Sequence, residues 1–458
     1  MQGTLSHVGN KKITWYNLEG IRIVTIALIK MTNLELLGEL MKKNCLKIRK
    51  SYIISFILFI TCFLMYSMQT LRLFRRQVCS YNSGFFSSDM GPYMLTMAGL
   101  DQLGVTYPIF FKLGAFLNLF MDLKWACALA TAILNSLSMV VLVVIIYILT
   151  QPYYPTKKAG EWAGVPATLL AFSLMAVSML FLPAGVSIEG IETRYMGVFS
   201  PNPYHNATYL AARPFAIVTF FLFVKILKYY EGQTNWKEFM FFGISLLVTT
   251  MTKPSFTLVF MSAAFVIMAW RLIRAKGSNI VNSIKLGLFF LPTVIDLLYQ
   301  YSGMFTSEQV SATDNSIRIG IGKVWSLYSG NIPVAIVLGI GFPIVVGLFY
   351  WKKKRKESMF SFAWLFYIMS MLEFLVLYET GPRMEHANFA WGYMYGMFFI
   401  IVVSAIYILQ ETIDIVQTKA TIIRIGQCII AWAVYGMHLM CGMMFLWYYW
   451  LGSFYVDF

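Results

Sequence analysis

The stretch WACALATAILNSLSMVVLVVIIYILT, residues 125–150, decides the fold class. It carries no charged side chain, and it is longer than the ~20 apolar residues that an α-helix needs to cross ~30 Å of hydrocarbon. The whole chain has the same character, since its 458 residues are 59% hydrophobic and only 12% charged, with a mean hydropathy of +0.67. A soluble domain would need more charges for its surface. The sequence therefore predicts an integral membrane protein with many spans.

Ten further apolar segments bring the expected total to about eleven membrane-spanning helices. They cover residues 52–70, 164–183, 211–229, 239–251, 255–270, 280–299, 331–350, 359–378, 391–410 and 425–447. Segment 239–251 is short, and Lys253-Pro254 separates it from the next, so the pair forms either a tight hairpin or one long broken helix. The polar-interrupted stretch 105–121 predicts an interfacial helix. We expect an all-α protein with one transmembrane domain over 51–458 and no separate soluble domain.

The distribution of positive charge predicts the orientation. With the N-terminus inside, 25 of the 36 Lys and Arg residues fall on the inner side, nine of them in the cytoplasmic basic segment 1–50. The predicted outer loops are then 71–124, 184–210, 300–330 and 379–390. The net charge of +15 indicates contact with membrane lipids and does not point to nucleic acid.

The first predicted outer loop contains SSDMGPY, residues 87–93. A carboxylate just outside a span, followed by aromatic-rich amphipathic sequence, is a simple way to hold a general base beside a lipid-borne substrate. Asp89 is therefore the candidate catalytic residue, with Tyr93 four residues later as a substrate-binding candidate. The alternative is that Asp89 is a solvated surface group of the loop.

Three cations, Arg213, Lys253 and Arg383, each lie beside a proline at a predicted outer helix end. Basic groups at membrane depth are costly unless paired, so these residues are candidates to bind a phosphate. Arg213 could instead extend to lipid headgroups. Further candidates for substrate binding are Arg194, His205, Glu385 and His386. His205 could equally be an ordinary loop histidine, and Arg383, Glu385 and His386 could form a local ion pair.

Three other sequence features are not assigned to the candidate site. Asn206-Ala207-Thr208 matches an N-glycosylation acceptor, although chance matches are frequent. His438 and Glu373 lie in predicted spans, where they could simply be interhelical hydrogen-bond partners. The six scattered cysteines form no CxxC pair and predict neither a disulfide framework nor a metal site.

These motifs resemble the beginning of GT-C fold glycosyltransferases, multi-spanning enzymes that use polyprenyl-phosphate sugars. Asp89 and Tyr93 match the acidic motif and following tyrosine of the first outer loop. Tyr107-Pro108 corresponds imperfectly to the turn before the juxtamembrane helix. Thr252-Lys253-Pro254 resembles the Leu-Thr-Lys-Gly-Pro segment of the aminoarabinose and protein O-mannosyl transferase-like branch. The resemblance covers roughly residues 50–260.

The resemblance implies an inverting transfer of a sugar from a polyprenyl-phosphate donor to a lipid, glycan or protein acceptor on the outer face of the membrane. Lys253 is then placed to meet the donor phosphate. Ser88 stands where many relatives have a second acid, a departure that counts against a metal requirement, so a divalent cation stays an open alternative and not an implied cofactor. Two other classes stay open: a transporter or flippase for a lipid-linked or small anionic substrate, and an envelope glycan polymerase or ligase.

Overall fold

The computed structural model describes residues 50–83, 88–100, 106–181, 195–305 and 316–451. Its helices are α1 (Lys50–Cys79), α2 (Met90–Met97), α3 (Ile109–Asn118), α4 (Leu123–Thr150), α5 (Lys157–Gly160), α6 (Gly164–Leu174), α7 (Tyr195–Val198), α8 (Ala207–Ile226), α9 (Trp236–Thr252), α10 (Ser255–Arg274), α11 (Ile280–Gly287), α12 (Leu291–Phe305), α13 (Trp325–Tyr328), α14 (Ile332–Lys354), α15 (Ser358–Val376), α16 (Ala390–Gln417) and α17 (Ile422–Trp450). The strands β1 (Ile317–Ile319) and β2 (Leu377–Glu379) pair antiparallel. Short 3-10 helices cover Tyr81–Ser83, Gln151–Tyr153, Leu288–Phe290 and Gly381–His386.

Nine helical stretches in the described ranges are long and apolar enough to cross a membrane. They are Lys50–Cys79, Leu123–Tyr153, Ala207–Ile226, Ser255–Arg274, Ile280–Ser302, Ile332–Lys354, Ser358–Val376, Arg383–Gln417 and Ile422–Trp450. The prediction of an all-α, multi-pass membrane protein is thereby confirmed. The other two predicted spans, 164–183 and 239–251, correspond to α6 with 11 residues and α9 with 17. The total of about eleven spans stays a prediction.

Helices α9 and α10 form a tight hairpin around Lys253. The rings of Phe242 and Phe260 have centroids 6.0 Å apart, whereas the same sequence separation along one helix would place them about 27 Å apart. The structure therefore has the hairpin and not the long broken helix. Because a proline disfavours helical geometry in the preceding residue, Lys253 before Pro254 is extended, with φ −163° and ψ 123°.

Helix α16 is the centre of the bundle. Every residue in its most apolar 18-residue window is buried. Phe399 stacks on Phe220 of α8 with ring centroids 4.4 Å apart, and Tyr395 stacks on Tyr209 at 4.1 Å. Because α16 begins at Ala390, this packing also brings Trp391 beside the start of α8, where its ring centroid lies 6.2 Å from that of Tyr209.

The helix ends gather at two opposite ends of the bundle, which we call the Asp89 end and the Glu411 end. At the Asp89 end, α1 finishes beside the residues that lead into α8, and Gln77 Nε2 donates to the Tyr204 carbonyl oxygen at 2.9 Å. At the Glu411 end, α14 finishes beside α16, and Lys353 Nζ pairs with Glu411 at 2.8 Å. The described residues of the predicted outer loops lie at the Asp89 end, and those of the predicted inner loops lie at the Glu411 end. Which end faces the cytoplasm stays a prediction.

His438 of α17 satisfies irregular backbone inside the bundle. Helix α6 stops after 11 residues, and α14 contains a non-helical residue, Ile340, three residues before Pro343. His438 Nε2 accepts a hydrogen bond from the Phe342 amide at 3.1 Å, and Nδ1 donates to the Ser178 carbonyl at 2.7 Å. Non-helical backbone at membrane depth is tolerated only where protein satisfies its polar groups. The interhelical hydrogen-bonding predicted for His438 is thus observed.

Candidate functional site

Asp89 lies at the start of the short helix α2. It occupies the N-cap position with φ −74° and ψ 0°, and its side chain makes no capping hydrogen bond. The partial positive charge of a helix N-terminus stabilises a carboxylate there. Tyr93 follows one helical turn later on the same face, so its hydroxyl lies 3.3 Å from Asp89 Oδ2. The Asp-x-x-x-Tyr spacing thus produces a direct contact.

Asn206 connects this segment to α8. As the N-cap of α8, its Oδ1 accepts the Tyr209 amide hydrogen at 2.8 Å and the Thr208 hydroxyl at 2.9 Å. Its Nδ2 donates to Asp89 Oδ2 at 2.6 Å and to the Tyr93 hydroxyl at 3.1 Å. Asn206 and Thr208 are 2% and 0% exposed, so the amide cannot accept a glycan in this fold. The N-glycosylation match is explained by capping.

Lys253 reaches Asn206 from the α9–α10 hairpin. Its Nζ donates to Asn206 Oδ1 at 3.2 Å and to Thr208 Oγ1 at 3.0 Å. The ammonium also lies 4.8 Å from the centroid of the Trp391 indole, within the range of a cation–π interaction. Three separate elements, α8, the hairpin and α16, therefore fix the position of this one charge.

We call Asp89, Tyr93, Asn206, Thr208 and Lys253 the Asp89–Lys253 cluster. The carboxylate and the ammonium bind opposite ends of the Asn206 amide, which donates to one and accepts from the other. Within the described residues no direct ion pair of 4.0 Å or less joins them. The cluster thus holds one acid and one cation close together while leaving each of them able to bind another group.

Burial sets the protonation of the cluster. Lys253 is 5% exposed, and this burial lowers its pKa to about 8, while the nearby Asp89 charge acts in the opposite direction. Burial, together with the charge of Asp89, raises the pKa of the Tyr93 hydroxyl well above its ordinary value. Tyr93 therefore remains protonated and serves as a hydrogen-bond donor at physiological pH.

His205 lies beside the cluster, between two aromatic rings. Its ring packs against those of Tyr195 and Trp391, with centroids 5.4 and 5.5 Å away. Burial lowers the pKa of His205 to about 4; the charge of Asp89 raises it and that of Lys253 lowers it further. The imidazole is therefore neutral at pH 7, and a role as a cationic phosphate ligand is disfavoured.

Arg383 and Tyr107 are partly exposed, and we call their position the rim of the Asp89–Lys253 cluster. Burial raises the pKa of Tyr107, and so does the charge of Asp89, while a hydrogen bond with Thr208 and the charge of Arg383 lower it, so Tyr107 is within electrostatic reach of both charged residues. Arg383 Nε pairs with Glu379 Oε2 at 3.3 Å. This observed ion pair differs from the predicted one, because Glu379 does not belong to the set of Arg383, Glu385 and His386 that the sequence indicates.

The remaining predicted site residues lie elsewhere. Glu385 and His386 are exposed, and the Glu385 carbonyl accepts the Tyr328 hydroxyl. Arg213 is completely buried in α8, and none of its hydrogen-bond partners belongs to the Asp89–Lys253 cluster. Arg194 falls outside the described residues.

Sequence reasoning missed the residues that connect the cluster. Asn206 and Thr208 carried a signal, because an asparagine before an apolar helix predicts an N-cap. The sequence gives no such signal for Trp391, because it predicts only that this residue begins a membrane span. The sequence predicts Tyr107 as part of the turn before the juxtamembrane helix and not as part of a site.

The ligand set for a divalent cation is poor. Such cations prefer several oxygen ligands, and carboxylates above all. Asp89 is the one carboxylate that the described residues bring into the cluster; its Oδ2 already accepts from Asn206 and Tyr93, and Lys253 lies on the other side of the amide. No group of three or more His, Cys, Asp or Glu side chains within the described ranges could hold a metal ion. These residues do not fit a divalent cation.

The resemblance to GT-C glycosyltransferases rests on the motifs themselves. No protein-family model matches this chain, and no curated protein or solved structure is significantly similar to it.

Proposed function

We propose that this protein is a membrane glycosyltransferase of GT-C type, which moves a sugar from a polyprenyl-phosphate donor to a hydroxyl of a lipid, glycan or protein acceptor. The observation that carries the proposal is the pairing of Asp89 and Lys253 through the Asn206 amide. Transfer from a lipid phosphate needs a base for the acceptor and a positive charge for the departing phosphate. The cluster holds both, because Asp89 and Lys253 are hydrogen-bonded to the same Asn206 side chain.

Lys253 binds the donor phosphate. Negative charge develops on the phosphate as the bond to the sugar breaks, and a fixed cation in a water-poor site stabilises that charge most in the transition state. Thr208 and Trp391 hold the ammonium in place, so little reorganisation is needed during the reaction. Arg383 at the rim provides a second positive charge, which is shared with Glu379 in the absence of donor.

Asp89 is the general base. The hydrogen bonds from Tyr93 and Asn206 both reach its Oδ2, and we assign Oδ1 to the acceptor hydroxyl. Oδ1 takes the proton as the acceptor oxygen forms its bond to the anomeric carbon. The bond from that carbon to the phosphate oxygen breaks at the same time, and its electron pair leaves with the polyprenyl phosphate. Direct displacement of this kind inverts the anomeric configuration.

The positive-inside pattern supports an outer-face position for the Asp89 end, with the N-terminus in the cytoplasm. The donor then lies with its isoprenoid tail among membrane lipids and its phosphate at the helix ends. A glycan polymerase or ligase would use the same donor chemistry and would differ only in transferring a longer glycan.

Transport is the second candidate, and the discontinuous backbone around His438 favours it. Transporters bind substrates at interrupted helices, and both α6 and α14 are interrupted here. Those interruptions are filled by protein contacts such as that of His438 with Ser178, whereas the acid–cation pair lies at the helix ends. The cluster's position therefore supports transfer over transport.

The test uses purified protein in lipid nanodiscs with labelled sugars on polyprenyl phosphate and, separately, on nucleotides. We expect product only from the lipid-phosphate donor. If no donor on a broad panel gives product, and the protein in liposomes accumulates a lipid-linked or anionic substrate, it is a transporter. Product length separates a monosaccharide transferase from a polymerase or ligase.

A further inference from the structure

Helix α6 ends inside the bundle, where one asparagine binds its last carbonyl and a second carbonyl just beyond the helix. Its 11 residues span about 16 Å, roughly half of the hydrocarbon thickness. Asn202 is fully buried, and its Nδ2 donates to the Leu174 carbonyl at 3.1 Å and to the Val177 carbonyl at 2.7 Å. The Tyr204 hydroxyl donates to the Met175 carbonyl at 3.4 Å. The segment before α8 thus supplies the cap for α6.

Arg213 in turn holds that asparagine. One guanidinium nitrogen donates to Asn202 Oδ1, and the other donates to Asn135 Oδ1 at 2.6 Å and to the Tyr66 hydroxyl at 3.0 Å. The ring of Phe398 lies 5.1 Å from the guanidinium carbon. These groups are all neutral, and a fully buried charge needs compensation. The negative end of the α6 dipole, reached through Asn202, supplies part of it.

The backbone from Asn202 to Asn206 is short and tightly held. Tyr209 Oη donates to the Pro201 carbonyl at 3.2 Å, and Gln77 Nε2 donates to the Tyr204 carbonyl at 2.9 Å. Because only three residues separate the two asparagines, we expect a displacement of Asn202 to change the position of Asn206. Asn206 is the side chain that aligns Asp89 with Lys253.

We propose that Arg213 is a positioning residue: through Asn202 it fixes the segment that ends in Asn206, and thereby sets the geometry of Asp89 and Lys253. This role differs from the phosphate binding that the sequence favours for Arg213. The consequence for reaction rate rests on the proposed glycosyl transfer, whereas the consequence for the cluster geometry does not.

The test is the titration of Lys253, which needs no donor. The Lys253 amine is labelled with trace isotopic acetic anhydride across pH 6–11, and its extent of reaction is read by mass spectrometry. The wild type should titrate near its pKa of about 8. Arg213→Met and Asn202→Leu should each loosen the contact with Asn206, let in water, and move the midpoint towards the ordinary value of 10.5.

The double variant decides between positioning and direct charge effects. If Arg213 acts through Asn202, the double variant should shift the midpoint no further than either single one. A shift in Arg213→Met with none in Asn202→Leu would show a direct charge effect and overturn the proposal, as would unchanged midpoints in both folded variants. Where Arg213→Met does not fold, Arg213→Lys keeps the charge and loses the planar fork. A raised midpoint in that variant supports the proposal, and a wild-type midpoint overturns it.

The matched control is Arg271→Met. Arg271 also holds the end of a helix, because it donates to the Leu227 carbonyl at the end of α8, but it lies at the Glu411 end. Its loss should reduce stability and leave the Lys253 midpoint near 8.

In the transfer assay, Arg213→Lys should lose up to about 100-fold in kcat with a smaller change in KM, as displaced catalytic groups do. Absence of transfer by the wild type would reject the proposed function while leaving the titration result valid.

Discussion

Asp89 and Lys253 bind opposite ends of one side chain, the amide of Asn206. The carboxylate accepts from Nδ2 at 2.6 Å, and the ammonium donates to Oδ1 at 3.2 Å. A direct ion pair would satisfy both charges with each other, whereas a neutral amide between them keeps both near one reaction centre and available. This separation is what allows one charge to serve the acceptor and the other to serve the donor phosphate.

Replacing Lys253 should weaken donor use strongly. A buried phosphate that loses a charge-assisted partner loses roughly 1.5–3 kcal/mol, or ~10–100-fold in kcat/KM. Lys253→Arg should recover only part of the lost activity, because the planar guanidinium group does not occupy the same position as the compact ammonium group. Initial rates with a polyprenyl-phosphate sugar measure the effect. The control is Lys225→Ala, which removes a lysine paired with Glu238 at the Glu411 end of the bundle. Full activity of a folded Lys253→Ala variant would show that Lys253 does not bind the donor.

Donor capture should depend on pH with a descending alkaline limb. The pKa of Lys253 is about 8, so the amine is charged below this pH and loses its charge as the pH rises through it. The value of kcat/KM reports the free enzyme and should therefore fall above pH 8. Lys253→Arg should keep its charge and lose this limb while showing lower activity. An unchanged limb in Lys253→Arg would assign the titration to another group.

The sequence predicts the candidate acid and cation of the site better than the hydrogen bonds and packing contacts that join them. The Asp-x-x-x-Tyr spacing predicts that Asp89 and Tyr93 share a face of α2, because i,i+4 pairs are neighbours on a helix. The Lys-Pro dipeptide predicts an interruption at Lys253, since proline restricts the residue before it. Both features are local and can be read directly from the chain.

The meeting of these residues at Asn206 could not be predicted, because it depends on packing among distant segments. Trp391 reaches Lys253 only because α16 runs through the centre of the bundle, and helix order around a centre is not encoded in hydropathy. Arg213 and Lys253 look alike in sequence, each beside a proline near a predicted helix end. Tertiary contacts alone separate them, since Arg213 binds Asn202 and Asn135 while Lys253 binds Asn206.

His205 should contribute to sensitivity towards acid. Its pKa of about 4 in the fold lies below the ordinary 6.5, so the unfolded chain binds a proton first as the pH falls. The stability from neutral His205 is complete above pH 6.5 and is lost progressively as the pH falls towards 4. His205→Gln should therefore reduce the fall in unfolding temperature between pH 6.5 and 4.5. The exposed His386→Gln is the control, and equal slopes in all three proteins would contradict the assignment.

Thiol labelling should establish the orientation. Cys79 is exposed at the Asp89 end and should react with an impermeant maleimide added to intact cells. Lys419→Cys, in a chain with Cys79→Ser, should react only after permeabilisation, because residue 419 is exposed between α16 and α17 at the Glu411 end. Cys45, which lies outside the described residues, should behave like Lys419→Cys. Labelling of Lys419→Cys from outside would reverse the orientation.

The most direct test of the central claim is glycosyl transfer by Asp89→Asn. The substitution keeps the size of the side chain and leaves a carbonyl oxygen for Asn206, but it cannot take the acceptor proton. Donor binding, which depends on Lys253, should survive, while kcat should fall by ~10²–10⁴-fold. The measurement compares product formation and donor affinity for purified wild type and Asp89→Asn with the same polyprenyl-phosphate sugar. Unchanged donor affinity with the predicted loss of kcat supports Asp89 as the base, and transfer at the wild-type rate would contradict it.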